Sequence, residues 1–346
     1  DLGPAQNQMP LDKPTRSYAE STALERRVGF LCASVFSLAY VVAPLVALGS
    51  PVGLALRPSS WAARAGVCAT LVSVLMPRAV VERMGSACLR TWPMQCVLRY
   101  FRFEEFHEIT DHELRASGRN YCVGMHPHGV FSFTGVCAAL STMAAADGFG
   151  TALAAEAPTA AATVILVFPL LKDILGMFGV VDAGAKALAK RLSRRAAVGG
   201  RTSSACLYIG GMLELFYSSP KKEAVYLSGR KGFVKLALRE GADLIPTYLF
   251  GNTTVLSTLD WSPLVALSRT LGVSVTLFWG RWWLPVPKPV KLVYARGRPL
   301  GLPHIPNPTP EDVDKWHAEY CERLLELFDS YKWANPDYKH KKLEIV

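Results

Sequence analysis

The sequence predicts an α/β domain with a largely parallel sheet and flanking helices, preceded by an N-terminal membrane-embedded hydrophobic hairpin. Two observations carry this prediction. From about residue 100 onward, apolar runs of strand length alternate with segments of helical character. Before them lies an uncharged run over 28–56, which exceeds the roughly 20 residues that cross a bilayer. We therefore expect a disordered polar tail over 1–24, a transmembrane or re-entrant hairpin over 25–80 and the α/β domain over 81–346.

The hairpin is predicted from two apolar runs of unequal length. Arg26 and Arg27 precede the long first run, whereas the second run covers only 65–76 and is closed by Pro77 and Arg78. The second run is too short for an unstrained crossing, so we expect either a short second span or a re-entrant segment. Arginines on every flank leave the orientation open. A cleaved signal peptide is disfavoured because the first run is long and begins well inside the chain.

Composition and charge narrow the class of protein. Half of the residues are hydrophobic, only 19% are charged and the mean hydropathy is +0.20, which favours membrane association over a typical soluble domain. The net charge of +10 favours anionic partners. Nucleic acid is not expected as a partner, because no basic stripe is interleaved with aromatic residues.

The eight cysteines are spread singly, which predicts reduced thiols rather than a disulfide framework or a zinc ribbon.

Strands and helices are predicted from the apolar pattern of the second part of the chain. The predicted strands are 121–125, 163–168, 205–209, 243–250, 274–279 and 290–295. Helices are expected at 135–146 and 184–195. The clearest helix begins at Pro310, where Thr309 can cap it and Asp312 completes a capping box. One face of this C-terminal helix is apolar and is expected to pack against the sheet, through Val313, Trp316, Tyr320, Leu324, Leu327, Phe328 and Tyr331.

The first candidate site is the sequence HPHG, formed by His126, Pro127, His128 and Gly129. Proline and glycine predict a sharp turn at the end of a strand, which is where α/β sheets usually bind ligands. A neutral imidazole there suits general base catalysis. The two histidines could instead ligate a metal, but no HExxH motif or carboxylate cluster accompanies them, so we expect no metal site.

Two further motifs supply candidate binding residues. Gly210 and Gly211 allow a tight turn after a predicted strand, and Glu214 would follow near the same edge of the sheet, where a carboxylate can orient a histidine. The glycine and lysine spacings of nucleotide-binding loops are absent.

The second of these motifs is a basic turn before a predicted helix. Arg230, Lys231, Gly232 and Phe233 would form a docking point for phosphate groups if the turn is not simply a solvated surface. Later in the chain, GRWWLPVP over 280–287 is aromatic and rigid, which suits either a wall at the membrane interface or a protein core.

These motifs, in this order and after a hydrophobic hairpin, resemble the type-2 diacylglycerol acyltransferase family, which includes monoacylglycerol and wax-alcohol acyltransferases. HPHG is the hallmark of that family. Three later blocks are also similar: RKGFVKLALREGADLIPTYLFG, GRWWLPVPKPVKLVYARGRPL and PNPTPEDVDKWHAEYCERLLELFDSYK. The resemblance covers about 100–332. Asn252 departs from it, because family members commonly carry glutamate there. We still expect Asn252 and Arg281, which lie beside or within these blocks, to contact substrate.

The resemblance implies a glycerolipid acyltransferase-like fold and transfer of an acyl group from acyl-CoA to the hydroxyl of a neutral lipid. It implies no metal or other cofactor, with acyl-CoA as co-substrate, diacylglycerol as the main acceptor, and the endoplasmic reticulum membrane or the lipid-droplet surface as the location. Monoacylglycerol and long-chain alcohols remain alternative acceptors, and a homo-oligomer remains open. A non-catalytic lipid-binding scaffold anchored by the hairpin and a metal-dependent hydrolase are the alternatives from other classes.

Roles for individual residues follow from this resemblance and from the chemistry of alcohols. A poorly nucleophilic hydroxyl needs a base, and the chain has no recognisable nucleophile elbow, so direct attack on the thioester is expected. We assign His128 as the base, His126 as its neighbour or an oxyanion donor, and Glu214 as the group that fixes the imidazole tautomer. Which of His126 and His128 is the base remains open at this point. Arg230 and Lys231 would hold the phosphates of CoA.

Overall fold

The computed structural model describes residues 11–144, 157–194, 203–211, 214, 223–259, 263 and 276–346. Its helices are α1 (Ala23–Leu56), α2 (Trp61–Leu75), α3 (Arg78–Leu89), α4 (Trp92–Tyr100), α5 (Asp111–Ala116), α6 (Phe133–Ala144), α7 (Thr163–Val167), α8 (Leu171–Gly176), α9 (Ala185–Leu192), α10 (Gly232–Glu240) and α11 (Pro310–Tyr331). Its strands are β1 (Arg16–Ser17), β2 (Glu104–His107), β3 (Tyr121–His126), β4 (Ala160–Ala161), β5 (Val181–Asp182), β6 (Ala205–Leu207), β7 (Glu223–Val225), β8 (Asp243–Phe250), β9 (Ser257–Thr258), β10 (Phe278–Trp279), β11 (Val293–Arg296) and β12 (Leu343–Ile345).

The central sheet has six strands in the order β1-β2-β11-β8-β3-β6. Strand β3 pairs in parallel with both β6 and β8, and β11 pairs in parallel with β2. However, β11 runs antiparallel to β8, and β1 runs antiparallel to β2. The prediction of an α/β fold is confirmed, but the sheet is mixed rather than largely parallel. An antiparallel neighbour needs no crossover helix, and the chain between β8 and β11 includes the β9–β10 pair.

The two central strands lie where the sequence predicts them, because their buried apolar runs are long. Strand β8 matches the predicted range 243–250, and β3 extends the predicted strand by one residue. Strands β6 and β11 are shorter than predicted. In the run 274–279, only β10 is a strand, and residues 274 and 275 lie outside the described residues.

One predicted strand is wrong, because residues 163–167 of the run 163–168 form the short helix α7. A six-residue apolar run does not distinguish a strand from a helix by its own pattern. Here, the Thr163 hydroxyl donates to Asp182 Oδ1, and the side chains of Val164 and Val167 stay exposed. The predicted helix 135–146 corresponds to α6, and 184–195 to α9. Residues 145, 146 and 195 lie outside the described residues.

The C-terminal helix α11 confirms its predicted cap and buried face. Thr309 Oγ1 accepts the backbone N–H of Asp312, and the Asp312 carboxylate accepts the backbone N–H of Thr309. The apolar face packs against β8, β11 and α10, so this helix covers one side of the sheet.

The polar segment before α1 departs from the prediction of a disordered tail. Strand β1 pairs with β2 at the edge of the sheet, and the Arg16 guanidinium lies 3.3 Å from the buried Glu105 carboxylate. The Leu11 backbone N–H donates to the Tyr331 hydroxyl. Residues 16 and 17 therefore form a strand where a disordered tail was predicted, and residues 1–10 lie outside the described residues.

Helix α1 is the described helix that is long and apolar enough, by length and composition, to cross a membrane. Thr22 and Glu25 form a capping box at its start. Helices α2 and α3 meet the same criterion only when taken together, and they are bent by 105° at the break between them. Helix α2 packs against α1, but a membrane-embedded hairpin stays a prediction.

The first half of α1 packs directly on the α/β domain through a glycine. A side chain at Gly29 would overlap the backbone carbonyl of Cys96 on α4, so the two helices touch because Gly29 has none. Phe30 and Phe36 extend this contact onto Tyr100 and Phe133. The close approach places one face of α1 against the domain and leaves the opposite face exposed.

We predict that Gly29→Ala destabilises the protein by about 1–3 kcal/mol, because the added methyl group forces α1 away from α4. Gly49 provides the matched control on the same helix, since a Cβ there would have no neighbour within 4 Å. Gly49→Ala should leave stability unchanged or raise it by up to about 1 kcal/mol through helix propensity. Thermal unfolding in detergent would measure both. Equal melting of the two variants would contradict the packing argument.

Candidate active site

The HPHG sequence forms a tight turn directly after β3. The peptide bond between His126 and Pro127 is cis, and Gly129 has a φ of +65°. Asn252, just beyond the end of β8, holds the turn. Its side-chain amide donates to the carbonyl oxygens of Pro127 at 2.9 Å and His128 at 2.7 Å. A Cβ at Gly129 would lie 2.9 Å from Asn252, so both the positive φ and this contact favour glycine.

The alternation of β3 divides the sheet into two faces. Cys122, Gly124 and His126 point toward α10 and α11, whereas Val123 and Met125 point to the opposite face. His126 is therefore enclosed on the α11 side. His128 comes after the turn and borders a cavity on the other side. The turn thus carries its two histidines to different environments.

His126 is fully buried, and both of its ring nitrogens have partners. Nδ1 lies 3.2 Å from Glu214 Oε1, and Nε2 lies 3.1 Å from the Tyr320 hydroxyl. Burial raises the pKa of Tyr320 well above its ordinary value, so the phenol keeps its proton. The consistent arrangement for a neutral ring has Tyr320 donating to Nε2 and Nδ1–H donating to the carboxylate. A side chain at Gly124 would overlap the Tyr320 hydroxyl, so that glycine makes the contact possible.

His128 is half-buried and has one ring nitrogen engaged. Nδ1 lies 2.6 Å from the backbone carbonyl oxygen of Gly129. A carbonyl can only accept, so Nδ1 carries the proton and Nε2 keeps its lone pair when the ring is neutral. The ring also packs against Tyr208 with centroids 4.7 Å apart. This tautomer leaves Nε2 as the basic nitrogen of a residue that lines the cavity.

Glu214 joins the two histidines, although not in the expected way. Oε1 contacts the His126 ring, and Oε2 accepts the backbone N–H of His128 at 2.8 Å. Glu214 thus contacts an imidazole ring as expected, but it is the ring of His126, whereas the carbonyl of Gly129 holds the His128 ring. The ring of His126 is also not placed as an oxyanion donor, since both nitrogens face Glu214 and Tyr320.

The two glycines of the second motif have separate roles. A side chain at Gly210 would overlap the carboxyl group of Glu214, so Gly210 gives that side chain its space. Gly211 has a φ of +60° and borders the cavity. Residues 212 and 213 of the same motif lie outside the described residues. Of the glycine pair, only Gly211 is placed to contact a substrate.

The cavity beside His128 has a volume of about 1090 Å³ and is mostly apolar. Its floor is the sheet face that carries Tyr121, Val123 and Met125, and one wall is α1, through Phe36 and Tyr40 among others. This volume slightly exceeds the range of about 300–1,000 Å³ that is usual for small-molecule binding sites. The charged residues among those lining it are Arg115 and Arg296, in addition to the titratable His128. A cavity of this kind suits a long apolar ligand whose reactive end reaches His128.

The predicted basic turn lies outside the cavity lining. Arg230 is exposed and stacks over Tyr226 at 5.2 Å, and Lys231 Nζ is 2.6 Å from an Asp314 carboxylate oxygen. Gly232 begins α10 and is exposed. Phe233 is a core residue, so its assignment as substrate-binding is wrong: its ring packs against Tyr320 at 4.9 Å. Phosphate binding by Arg230 and Lys231 stays a prediction.

Asn252 and Arg281 also have structural partners. Asn252 is buried and hydrogen-bonds the HPHG turn, so it positions the turn instead of reaching the cavity. Arg281 lies over the rings of Phe30 at 5.0 Å and Trp282 at 4.3 Å, and it does not line the cavity. Trp282 and Trp283 are 64% and 80% exposed, which excludes a core position for them and agrees with an interface belt beside α1.

Two site residues were missed by the sequence analysis. Tyr320 belongs to the apolar face of α11, where a core role alone was expected, and its hydroxyl could not be assigned a partner without the fold. Tyr208 lies at the end of the predicted strand 205–209, and alternation from Cys206 would have placed it on the cavity face. Its hydroxyl donates to Ser132 Oγ beside the His128 ring.

The two histidines do not converge on one point, as a shared metal ion would require. His126 is enclosed by Glu214 and Tyr320, while His128 faces the cavity. Among the residues that the structure describes, no group of three or more His, Cys, Asp or Glu side chains is arranged to hold a metal ion. His126 and His128 therefore lie in different environments, and the absence of a metal stays a prediction.

The chain is similar to a known protein family and to several characterised relatives. A family model described as diacylglycerol acyltransferase matches residues 79–345. Diacylglycerol O-acyltransferase 2 of Bos taurus is 32% identical over 263 residues, covering 71% of this chain and 70% of the relative. The human protein of the same name is 32% identical, covering 71% of this chain and 65% of the relative. Human 2-acylglycerol O-acyltransferase 3 is 33% identical over 62% of this chain and 65% of the relative.

The chain therefore matches 65–70% of the length of these relatives. Among solved structures, the 1-acyl-sn-glycerophosphate (LPA) acyltransferase PlsC from Thermotoga maritima matches with a TM-score of 0.37 and 12% identity. That match covers 87% of this chain and 97% of the other. This structural similarity is too low to establish a common fold.

We predict that Asn252→Asp destabilises the protein by at least about 2 kcal/mol, because two buried carbonyl oxygens lose their donor and face a carboxylate. Asn335→Asp is the control, since Asn335 is also buried but its amide donates to one carbonyl, that of Lys291. Thermal unfolding in detergent should show the larger loss for Asn252→Asp. The loss should shrink at acidic pH, where a protonated carboxyl group can donate again. If Asn252→Asp melts at the same temperature as the wild-type protein, Asn252 does not hold the HPHG turn in place.

Proposed function

This chain belongs to the diacylglycerol acyltransferase family, and we propose that it transfers an acyl group from acyl-CoA to the free hydroxyl of diacylglycerol, forming triacylglycerol. The observation that carries the proposal is the His128 tautomer. A basic Nε2 lies at the edge of a large apolar cavity. Hydrogen bonds from Glu214 and Asn252, which follow the strands on either side of β3, hold the turn that carries it. General base catalysis needs a group of this kind within reach of an alcohol.

The mechanism follows from that nitrogen. His128 Nε2 takes the proton of the acceptor hydroxyl as the oxygen attacks the thioester carbon. The carbon–sulfur bond then breaks, and the CoA thiolate leaves with the proton from the His128 imidazolium. The products are the new ester and free CoA, and no covalent acyl-enzyme is needed. The Nδ1–H bond to the Gly129 carbonyl persists throughout and stabilises the positive charge of the imidazolium.

Glu214, His126 and Tyr320 act as positioning residues in this scheme. The Glu214 carboxylate holds the backbone N–H of His128, and the ring of His126 orients that carboxylate. Tyr320 in turn selects the His126 tautomer that donates to Glu214. None of these three groups needs to touch the substrate. Their effect is to keep the base within hydrogen-bond reach of the hydroxyl, where small displacements cost rate.

The acceptor and the location extend the same proposal. The relatives named diacylglycerol O-acyltransferase 2 support diacylglycerol, and the 2-acylglycerol relative supports a test of monoacylglycerol alongside it. Helix α1 supports insertion into a bilayer, which we place at the endoplasmic reticulum, with the catalytic cavity beside the inserted helix. No metal or other cofactor takes part in the proposed reaction, and acyl-CoA is a co-substrate.

We predict that His128→Ala lowers the rate of acyl transfer at least about 10²-fold, because the acceptor hydroxyl loses its base. The assay would supply labelled oleoyl-CoA to microsomes with diacylglycerol, monoacylglycerol or a long-chain alcohol, and would resolve the products by chromatography. His304→Ala is the control: that histidine is exposed, lies outside the cavity lining, and its Nε2 hydrogen-bonds to the backbone carbonyl of Arg239 on α10. Near-normal activity of His128→Ala would refute the assignment of His128 as the general base. Absence of transfer to every acceptor by the wild-type protein would favour a lipid-binding scaffold.

We predict that Tyr320→Phe lowers kcat about fivefold with little change in KM, because loss of one hydrogen bond of about 1 kcal/mol releases the His126 tautomer. Tyr338→Phe is the control, since Tyr338 is fully buried in the same core and its hydroxyl contacts Thr253 instead. Both variants should lose similar stability, but only Tyr320→Phe should change kcat and the pH dependence of the rate. Equal kinetics of the two variants would show that Tyr320 is structural only.

A further inference from the structure

The lining of the cavity beside His128 includes exposed apolar side chains. Of the described residues that line it, three are exposed: Leu48 on α1, Ala162 directly before α7, and Val164 on α7. Leu48 is 64% exposed and Val164 is 49% exposed. None of the three carries a charge or a polar side chain. We infer that these exposed lining residues mark an opening of the cavity, and we name it the α1–α7 portal.

The surface around the portal is apolar as well. On α1, Leu45 is 67% exposed one turn before Leu48, and Val52 is exposed one turn after it. On α7, Val167 is 66% exposed one turn after Val164. Exposed apolar side chains that continue across two elements favour contact with lipid over contact with water. The rim is therefore part of a larger apolar surface.

The position of Leu48 along α1 gives the depth of the portal. Leu48 lies inside the apolar run, eight residues before α1 ends at Leu56. Eight residues of helix correspond to about 12 Å, and the hydrocarbon core of a bilayer is about 30 Å thick. If α1 crosses the membrane with its apolar run in the core, the portal opens among the lipid chains and not at the aqueous surface.

We propose that the neutral acceptor lipid enters the catalytic cavity laterally from the bilayer through the α1–α7 portal. This inference rests on the proposed function and adds the route of one substrate. Diacylglycerol is uncharged and dissolves in the bilayer, so it can pass a rim without polar groups. The nucleotide of acyl-CoA carries several negative charges, and their desolvation among these side chains would be very costly. The portal would therefore admit the acceptor lipid but not the nucleotide of the acyl donor.

The test narrows the portal with a larger side chain and compares the two substrates. Leu48→Trp and Val164→Trp place an indole ring at the rim. Leu45→Trp and Val167→Trp are the matched controls, because they lie on the same helices with similar exposure but do not line the cavity. The full-length proteins would be reconstituted in phosphatidylcholine vesicles. Initial rates would be measured against the mole fraction of dioleoylglycerol and, separately, against oleoyl-CoA concentration.

We expect both rim variants to raise the KM for dioleoylglycerol about fivefold or more, which corresponds to about 1 kcal/mol. Their KM for oleoyl-CoA should stay unchanged, which also shows that they are folded. Both controls should match the wild-type protein. Rim variants that behave like their controls would overturn the portal while acyl transfer itself continues to support the proposed function. An increase confined to the KM for oleoyl-CoA would assign the opening to the donor and would overturn the proposal.

A binding measurement separates failure of the portal from failure of the function. A diacylglycerol carrying a diazirine in one chain would be photolysed in the same vesicles, with unlabelled dioleoylglycerol as competitor. We expect competed labelling of the wild-type protein that falls in the rim variants and persists in the controls. Labelling that persists equally in the rim variants would overturn the portal. An inactive wild-type protein that still shows portal-dependent labelling would overturn the proposed catalysis and leave lipid entry intact.

Discussion

The candidate site depends on one buried carboxylate. Glu214 contacts the His126 ring with one oxygen and the His128 backbone with the other, so it ties together residues on the two faces of the sheet. A buried carboxylate is costly unless hydrogen bonds satisfy both oxygens, and this geometry meets that requirement. The missing side chain of Gly210 provides the space for it. If Glu214 moved, the turn that presents His128 would lose its support on one side.

The two histidines therefore have different parts in one arrangement. His126 is buried between Glu214 and Tyr320, and each of its ring nitrogens lies within hydrogen-bond distance of one of them. His128 makes one ring hydrogen bond and keeps the other nitrogen for the cavity. Asn252 secures the carbonyl groups of the same turn from β8. His128 is thus held by its backbone and by one ring nitrogen, while the second nitrogen remains available as the base of the proposed reaction.

Helix α1 connects the membrane signal of the sequence with this site. Gly29 brings the helix against α4, and Phe36 and Tyr40 then form part of the cavity wall. The same helix exposes an apolar face on its other side. A helix inserted in a bilayer would for this reason place the cavity beside the lipid. Helix α1 and the cavity beside His128 are one packing unit, so mutations at the α1–α4 contact should affect both.

Local patterns in the chain were enough to locate α1, β3, β8, the capped helix α11 and the HPHG turn, because each depends on a long apolar run or on neighbouring residues. They did not distinguish helix from strand at 163–168, where a short apolar run fits both. They also could not pair β11 with β8, assign Phe233 to the core or bring Tyr320 to His126. Those features join residues far apart in sequence, and only the pairing of the strands and the packing of α11 on the sheet determine which of them meet.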